Sequence, residues 1–235
     1  MIKLVDILEN KILITRRSPE EREKNHIIAT QKKIQQYMKN GGRGNLNLQD
    51  TPITSLPQGL KVGGYLDLRR TKITSLPQGL TVGGDLFLQD TPITSLPPGL
   101  KVGNNLDLDN TKITSLPLGL IVGGNLYLRY TQITSLPIGL EVGGSLYLHR
   151  TPITSLPIGL KVGGHFNLSN TPITSLPPGL TVGDYLDLDN TKITTLPPDL
   201  KVGGIVDLRG TPLSKTHTEE QIKAKSPGIK GYIIL

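Results

Sequence analysis

Few side chains in this sequence of 235 residues carry the groups that catalysis needs, and the most suggestive are two pairs of aspartates. Asp107 and Asp109, and again Asp187 and Asp189, are separated by one residue within the phrase DLDN. A glycoside hydrolase needs two carboxylates roughly 5–9.5 Å apart. The two pairs are distant in sequence, and similar phrases elsewhere replace the aspartates freely. A solvated polar surface is therefore the favoured interpretation, and a glycan-cleaving enzyme is a weaker alternative.

Other catalytic or cofactor chemistry has still less support. The chain contains no cysteine, which excludes disulfides, thiol nucleophiles and thiolate metal sites. His149 and His165 are not accompanied by the carboxylate or cysteine pattern of a metal site. The recurring VGG is not followed by a helix, so it does not read as a phosphate-binding loop. We expect a protein without enzymatic activity, cofactor or bound metal.

The positive charge is concentrated at the two ends of the chain. The net charge is +7, and residues 1–50 carry 10 lysines and arginines against 6 acidic residues. Residues 51–210 are nearly balanced, with 12 basic and 11 acidic residues. A nucleic-acid-binding protein of this kind should carry basic residues along its whole length. Nucleic acid is therefore an unlikely partner.

A repeat of 20 residues occupies most of the chain. Its consensus is TxITSLPxGLxVGGxLxLxx, and eight copies without insertions span residues 51–210. They begin at Thr51, Thr71, Thr91, Thr111, Thr131, Thr151, Thr171 and Thr191. A half unit at residues 44–50 precedes them, and residues 211–213 begin another. A fixed period of this length is typical of a solenoid.

The spacing of apolar residues within one unit indicates extended chain. Leu80 and Val82, Leu86 and Leu88, and Thr71 with Ile73 are each two residues apart, so each pair shares one face of an extended segment. Proline and glycine between these pairs favour bends. One unit thus predicts one coil with about three short extended sides, stacked about 4.8 Å from the next coil. The first threonine should point inward, where its hydroxyl satisfies backbone groups at a corner.

The phrase LxLxxTxI resembles the LxLxxNxL core of leucine-rich repeats, with threonine in the place of asparagine. The LP dipeptide and the short period resemble the bacterial effector subtype, although the segment between GL and LxL is longer here. The whole unit also resembles repeat proteins predicted in large tailed-phage and bacterial genomes. The repeat and this resemblance imply a mainly β fold over residues 44–213: a right-handed parallel β-solenoid or leucine-rich-repeat-like solenoid with short helical caps at both ends.

The N-terminal region, residues 1–43, should cap the first coil with a helix at about residues 19–39. Ser18 and Glu21 form the S-x-x-E signature of a capping box, and Pro19 suits the first helical position. Ile27, Ile34 and Met38 form an apolar stripe, flanked by Ile28 and Tyr37. A helix that docks on an acidic partner is the alternative. Residues 1–15 should complete the cap, although Ile7-Leu8-Glu9 also matches the I/L-x-E site of T-even-type phage prohead proteases.

The C-terminal region, residues 214–235, should form a second cap. A short helix is expected near residues 218–225, and GIKGYIIL at the end resembles xVGGYLDL of the repeat. Ile229 takes the valine place, Gly231 the second glycine, and Ile233 and Leu235 the two leucine places. Helical caps suggest a monomer, but the sequence does not determine the oligomeric state.

Cellular location follows from the terminal sequence and the resemblance. No apolar run reaches 18 residues, which predicts no membrane span. The N-terminus lacks the apolar core and cleavage site of a secretion signal. We expect a cytoplasmic location in a bacterial host cell or association with a virion.

The variable positions around LxL hold most of the aromatic residues and predict a binding surface. Tyrosine beside arginine, asparagine and serine on a rigid sheet is typical of protein-binding surfaces. The candidate partner-binding residues are Tyr65, Phe87, Tyr127, Tyr130, Tyr147, His149, Arg150 and Tyr185. Neutral drift of exposed positions is the competing explanation. The predicted function is a non-catalytic scaffold that binds a protein partner. The alternatives are a structural or surface component of a phage particle and, third, a glycan-binding or glycan-cleaving solenoid.

Overall fold

The computed structural model describes residues 18–235, which form two helices and eighteen short strands. Helix α1 spans Pro19–Lys39 and helix α2 spans Glu219–Lys225. The strands, each of two residues, are β1 Leu46–Asn47, β2 Lys61–Val62, β3 Leu66–Asp67, β4 Thr81–Val82, β5 Leu86–Phe87, β6 Lys101–Val102, β7 Leu106–Asp107, β8 Ile121–Val122, β9 Leu126–Tyr127, β10 Glu141–Val142, β11 Leu146–Tyr147, β12 Lys161–Val162, β13 Phe166–Asn167, β14 Thr181–Val182, β15 Leu186–Asp187, β16 Lys201–Val202, β17 Val206–Asp207 and β18 Ile233–Ile234.

These strands form two parallel sheets. Sheet A contains the odd-numbered strands β1 to β17 and then β18, and sheet B contains the even-numbered strands β2 to β16. Each strand pairs with its equivalent in the next unit, so Leu66 lies beside Leu86 and Val62 beside Val82. One 20-residue unit is therefore one coil. The predicted parallel solenoid is confirmed, while its right-handed winding stays a prediction.

The third side of the coil, which includes Thr71–Ile73, forms no strand, so only two of the three predicted sides pair into sheets. The residue after the threonine is often proline, which has no N–H to donate to a sheet. In three of the four coils where it is lysine or glutamine, its N–H forms a hydrogen bond to the preceding coil. The N–H groups of Lys72, Gln132 and Lys192 donate to isoleucine carbonyls of the preceding coil at 3.1, 3.2 and 3.0 Å.

Ladders of identical apolar residues fill the interior. Leu66, Leu68, Ile73 and Leu80 and their equivalents are almost completely buried and belong to one continuous core. The largest fully buried side chain is Phe166, which replaces leucine in the ladder between Leu146 and Leu186. No single coil could bury these residues alone, so the core exists only in the stack.

The threonine ladder is confirmed as a buried corner. The hydroxyl of Thr71 donates to the carbonyl oxygen of Leu68 at 2.7 Å, and its N–H donates to the same oxygen at 3.2 Å. The hydroxyl bond recurs in every coil from Thr51 to Thr211 at 2.6–2.8 Å. The threonine therefore fixes the turn between sheet A and the third side.

Two of the three glycine positions of the repeat are glycine for different physical reasons. The glycine of LPxGL has a positive φ, for example 72° at Gly99, as the turn interpretation predicts. The first glycine of VGG does not have a positive φ. A Cβ at Gly103 would lie only 2.1 Å from the carbonyl oxygen of Gly83 in the preceding coil. Close approach between backbones, rather than a special φ, excludes a side chain at the first glycine of VGG.

Helix α1 caps the first coil as predicted, with the predicted bounds. Both bonds of the capping box are present: the N–H of Glu21 donates to the Ser18 hydroxyl at 3.1 Å, and the N–H of Ser18 donates to the Glu21 carboxylate at 3.0 Å. Ile34 is buried in the core, and the Tyr37 hydroxyl donates to the carbonyl of Gly42 at 2.7 Å. Ile28 is exposed and does not contribute to the apolar stripe. The predictions for residues 1–15, including Ile7-Leu8-Glu9, lie outside the described residues.

Helix α2 and a final coil close the other end. Ile229 pairs with Val202 and Ile233 with Val206, as the resemblance of GIKGYIIL to the repeat predicted. Leu235 was expected in a buried leucine place but is 43% exposed. The backbone of Ile233 is tied to α2 through the Glu219 carboxylate at 3.1 Å, and Leu235 lies beyond this contact. Within residues 18–235, neither helix is long and apolar enough to cross a membrane.

Candidate functional site

The second residue of each sheet A strand from β1 to β17 forms an outer column, which holds aspartate or asparagine in six coils and an aromatic residue in three. Its members are Asn47, Asp67, Phe87, Asp107, Tyr127, Tyr147, Asn167, Asp187 and Asp207. Wherever the residue is aspartate or asparagine, its Oδ1 accepts the backbone N–H two residues later at 2.9–3.1 Å. This is an Asx turn, a local device that closes a corner of the backbone. These residues are therefore structural members of the column.

The aspartate pairs considered for glycan cleavage belong to this turn. Asp107 accepts the N–H of Asp109 at 3.0 Å and also contacts the amide of Gln89. Asp109 forms an ion pair with Arg129. The same turn occurs where the second residue of the pair is a glutamine, an arginine or a serine, so it does not depend on two carboxylates. The recurrence favours a structural role for both aspartate pairs.

The carboxyl group of Asp107 should make the stability of the protein depend on pH. Burial raises the pKa of its carboxyl from 3.8 to about 6, and the Asp109 carboxylate adds to the shift. The folded state therefore holds this proton more tightly than the unfolded state, so the contribution of Asp107 to stability is greatest below about pH 4 and is lost as the pH rises through about 6. A shift of this size corresponds to roughly 3 kcal/mol, which partial screening reduces to about 1–2 kcal/mol.

Replacing Asp107 with asparagine should thus stabilise the protein by about 1–2 kcal/mol at neutral pH. Asparagine keeps the Oδ1 acceptor of the turn, as Asn167 does in its own coil. Urea unfolding of both proteins at about pH 4 and about pH 7.5 measures the effect. The gain should appear at the higher pH only, and an equal difference at both pH values would contradict the assignment.

A second column, which precedes each sheet A strand, is also partly structural. Short polar side chains at Asn45, Asp85, Asn105, Asn125 and Ser145 accept the N–H of the equivalent residue in the next coil at 2.7–3.1 Å. Tyr65 and Tyr185 replace that short acceptor with a ring. The two columns do not form one outward surface, because Asp67, Asp107 and Asp207 are buried. The short polar side chains of these columns accept hydrogen bonds from backbone N–H groups, whereas the aromatic rings do not.

The predicted aromatic residues fall into three groups along sheet A. Tyr65 and Phe87 meet edge to face with ring centroids 6.2 Å apart. Tyr127 and Tyr147 stack with centroids 4.9 Å apart and planes 1° from parallel. Tyr185 lies near the other end, where burial and a 2.9 Å hydrogen bond from its hydroxyl to an Asp207 carboxylate oxygen raise its pKa above the ordinary value. The coils that carry Asp107 and Asn167 separate the three groups.

Five of the predicted residues form a central patch: Tyr127, Tyr130, Tyr147, His149 and Arg150. The Tyr130 ring meets the His149 ring edge to face at 5.8 Å, and the Arg150 guanidinium lies 5.6 Å from the Tyr130 centroid. Arg150 also donates to the Tyr130 hydroxyl at 3.2 Å. Burial, with repulsion from Arg129, lowers the pKa of His149 below its ordinary value. The structure thus brings the five residues together on two neighbouring coils.

The residue before each buried threonine forms a corner column in the left-handed region of backbone conformation. From Asp50 to Asn190 the φ values in this column are 54–59°, and Gly210 has a φ of 69°. Asparagine, aspartate and glycine adopt this conformation with least strain. Six of the nine coils carry one of these types, and the exceptions are Arg70, Tyr130 and Arg150. The sequence contained this signal, since the column is rich in asparagine and aspartate, but the sequence analysis did not use it.

Sequence reasoning also missed a row of exposed apolar residues at the LPxGL turn. Leu118, Ile138 and Ile158 occupy equivalent places on three consecutive coils and are 76%, 77% and 79% exposed. We call this row, with Pro98 before it and Pro178 and Pro198 after it, the apolar ridge. Its signal in the sequence is the variable letter of LPxGL, which is glutamine in the first two coils only.

The two histidines that had been considered for a metal site contact different neighbours. His149 contacts Tyr130, whereas His165 lies 3.2 Å from the Asp184 carboxylate. Within residues 18–235, no group of three or more histidine, aspartate or glutamate side chains is placed to hold a metal ion.

Comparison with known proteins adds little to these observations. No protein-family model matches this sequence, and no curated protein sequence matches it. Among solved structures, the chain is similar to YopM from Yersinia enterocolitica WA-314, a leucine-rich-repeat protein, at 15% sequence identity and a TM-score of 0.33. The similarity covers 86% of this chain and 66% of YopM, and a TM-score this low carries no argument about fold or function. On its own strand pairing, the chain is a parallel β-solenoid of about eight turns with a helix near each end, built from repeats that resemble leucine-rich repeats.

Proposed function

We propose that this protein is a non-catalytic scaffold that binds a protein partner through the central patch on sheet A. The observation that carries the proposal is the placement of Tyr130 and Arg150 at positive φ. A bulky residue in this conformation costs about 1 kcal/mol relative to one that tolerates it. Strained residues that persist against such a cost are concentrated at functional sites. Here two of the three strained residues lie together beside the stacked tyrosines.

The central patch also lacks structural devices that neighbouring coils possess. Tyr127 and Tyr147 occupy the outer column, where aspartate or asparagine would close the corner with an Asx turn. The coils of the patch therefore give up both a local hydrogen bond and an unstrained corner residue. Loss of stability in exchange for exposed functional groups is the usual relation between stability and activity in natural proteins. Both losses occur in the same two coils, which are the coils of the central patch.

The side chains of the patch are suited to binding because they are ordered before a partner arrives. The Tyr127 and Tyr147 rings are fixed by stacking on each other, and sheet A below them is continuous over ten strands. Ordered aromatic anchors lose little conformational entropy on binding. Arg150 forms no ion pair with any residue of the described chain, and Tyr130 holds its guanidinium in place. The patch therefore fits a protein surface that offers carboxylate or carbonyl acceptors between apolar groups.

The test replaces both strained residues with asparagine, the residue that equivalent coils use. The double variant Tyr130→Asn and Arg150→Asn should unfold at a higher urea concentration, with a gain of about 1–2 kcal/mol, because the strain is relieved. The same variant should lose the partner that the wild-type protein captures from a cell extract, as measured by quantitative mass spectrometry.

A matched control separates strain from binding. Arg70→Asn changes the same backbone position in a coil outside the central patch, where Arg70 pairs with Asp50. This variant should capture the same proteins as the wild type. Capture of the same partner at wild-type levels by the double variant would refute the central patch as the binding surface.

A further inference from the structure

The apolar ridge is an interaction surface distinct from the central patch. Six consecutive coils place an apolar residue at its tip, and the three central side chains are more than three quarters exposed. Single exposed apolar residues are ordinary, but a contiguous row indicates a binding surface. The ridge lies at the corner between the third side and sheet B. Sheet A follows only after the VGG corner, so an occupant of the ridge leaves the central patch accessible.

The charges beside the ridge indicate what covers it. The first residue of each sheet B strand is exposed or half-buried next to the ridge, and Glu141 and Lys161 occupy this place in the coils of Ile138 and Ile158. Neither side chain forms an ion pair with another residue of the described chain. One negative and one positive charge on adjacent coils complement a reversed copy of the same pair.

We propose that two copies of this chain associate side by side through the apolar ridge, with their coil stacks antiparallel. A two-fold axis between Ile138 and Ile158 places Ile138 against the partner's Ile158. It also places Leu118 against the partner's Pro178 and Pro98 against the partner's Pro198, so that apolar residues meet along the whole row. A two-fold interface uses the same surface on both copies, as this row permits.

The charged pair selects this axis over its neighbours. With the axis between the two isoleucines, Glu141 of each copy faces Lys161 of the other, which gives two reciprocal ion pairs at the centre. The same axis places Lys101 of each copy opposite Lys201 of the other at the two ends of the row, where these exposed side chains can extend into solvent. An axis through Ile138 would bring the two copies of Glu141 together, and an axis through Ile158 would bring the two copies of Lys161 together. Like charges at the centre of a contact are unfavourable, so the central charges favour the axis between the two isoleucines, while the lysines at the two ends oppose it.

The size of the ridge predicts a weak dimer. Five intervals of about 4.8 Å give a row of roughly 24 Å, and a strip of that length buries on the order of 500 Å² per copy, at the low end for specific interfaces. Dimerisation should therefore depend strongly on protein concentration. The helical caps, which suggested a monomer, prevent end-to-end stacking but do not cover the side of the stack.

Sedimentation velocity over about 10 µM to about 1 mM tests the proposal. The wild-type protein should shift from monomer to dimer across this range. The variant Ile138→Ser and Ile158→Ser should remain monomeric, while Gln58→Ser and Gln78→Ser, at the same place on the first two coils, should dimerise as the wild type does. Circular dichroism confirms that each variant keeps the wild-type fold. A wild-type protein that stays monomeric up to about 1 mM would overturn the proposal.

A charge exchange tests the arrangement of the two copies. Glu141→Lys or Lys161→Glu alone should weaken dimerisation about five- to tenfold, because each creates like-charged contacts. The double variant Glu141→Lys with Lys161→Glu should restore the wild-type dissociation constant, because the reciprocal pairs form again with their charges reversed. A double variant as weak as the single variants would exclude this two-fold register.

Discussion

Replacing Gly103 with alanine should destabilise the protein by about 3 kcal/mol, the upper part of the range for overpacked sites. The added methyl group would lie 2.1 Å from the carbonyl oxygen of Gly83, and both groups belong to the backbone. Relief therefore requires one coil to move away from the next. That movement would lengthen the hydrogen bond between the Gly103 N–H and the Val82 carbonyl, now 2.9 Å, and disturb sheet B on both sides.

Gly99→Ala is the matched control for this prediction. Gly99 has a φ of 72°, but no atom lies within 4 Å of a Cβ built there. The substitution should cost only about 1 kcal/mol, the strain of a left-handed conformation. Urea unfolding of the two variants measures the difference. Equal losses of stability would mean that close approach between coils does not explain why the first residue after valine in VGG is glycine in all eight units.

Replacing Phe166 with alanine should destabilise the protein by about 4 kcal/mol, within the range for the loss of a large buried side chain. Phe166 is fully buried and lies in the ladder between Leu146 and Leu186. The coils above and below are held in register by both sheets, so they cannot collapse into the space left by the ring. The cavity would therefore remain, and its cost adds to the lost burial.

Phe166→Leu provides the control, because leucine occupies the equivalent place in both neighbouring coils. This variant should lose only about 1 kcal/mol. Thermal unfolding and urea unfolding should agree on the order wild type, leucine, alanine. A leucine variant as unstable as the alanine variant would show that the stack is shaped around the ring and does not accept an ordinary repeat at this coil.

The binding surface was only partly predictable from the sequence. The positions of Tyr127, Tyr130 and Tyr147 on neighbouring coils follow directly from the period, and the structure confirms that they lie together. The sequence did not distinguish these tyrosines from the structural residues at equivalent variable positions. Asp107 looks as variable as Tyr127 in the sequence, yet its carboxylate closes an Asx turn. Hydrogen bonds to the backbone depend on distances within the folded corner, which residue types alone do not give.

For the apolar ridge, residue types would have predicted burial where the structure shows exposure. Leu118, Ile138 and Ile158 are typical core residue types, and a rule that apolar residues lie inside would have buried them. The turn between proline and glycine places them outward instead. Their exposure is a property of the turn conformation, and the variability of this letter of LPxGL was the sequence signal that set them apart from the buried leucines nearby.

By itself, the sequence determined the period, the coil, the apolar ladders, the threonine corner and the two helical caps. These features follow from the spacing of apolar residues and from local hydrogen bonds, which are properties of a single unit or a single helix. Only the tertiary structure decided that two sides of the coil form sheets, that VGG is required by contact between coils, and that Tyr130 and Arg150 are strained. Each of these depends on how the backbone of one coil meets the backbone of the next or folds at its corner. That geometry exists only when the coils are stacked.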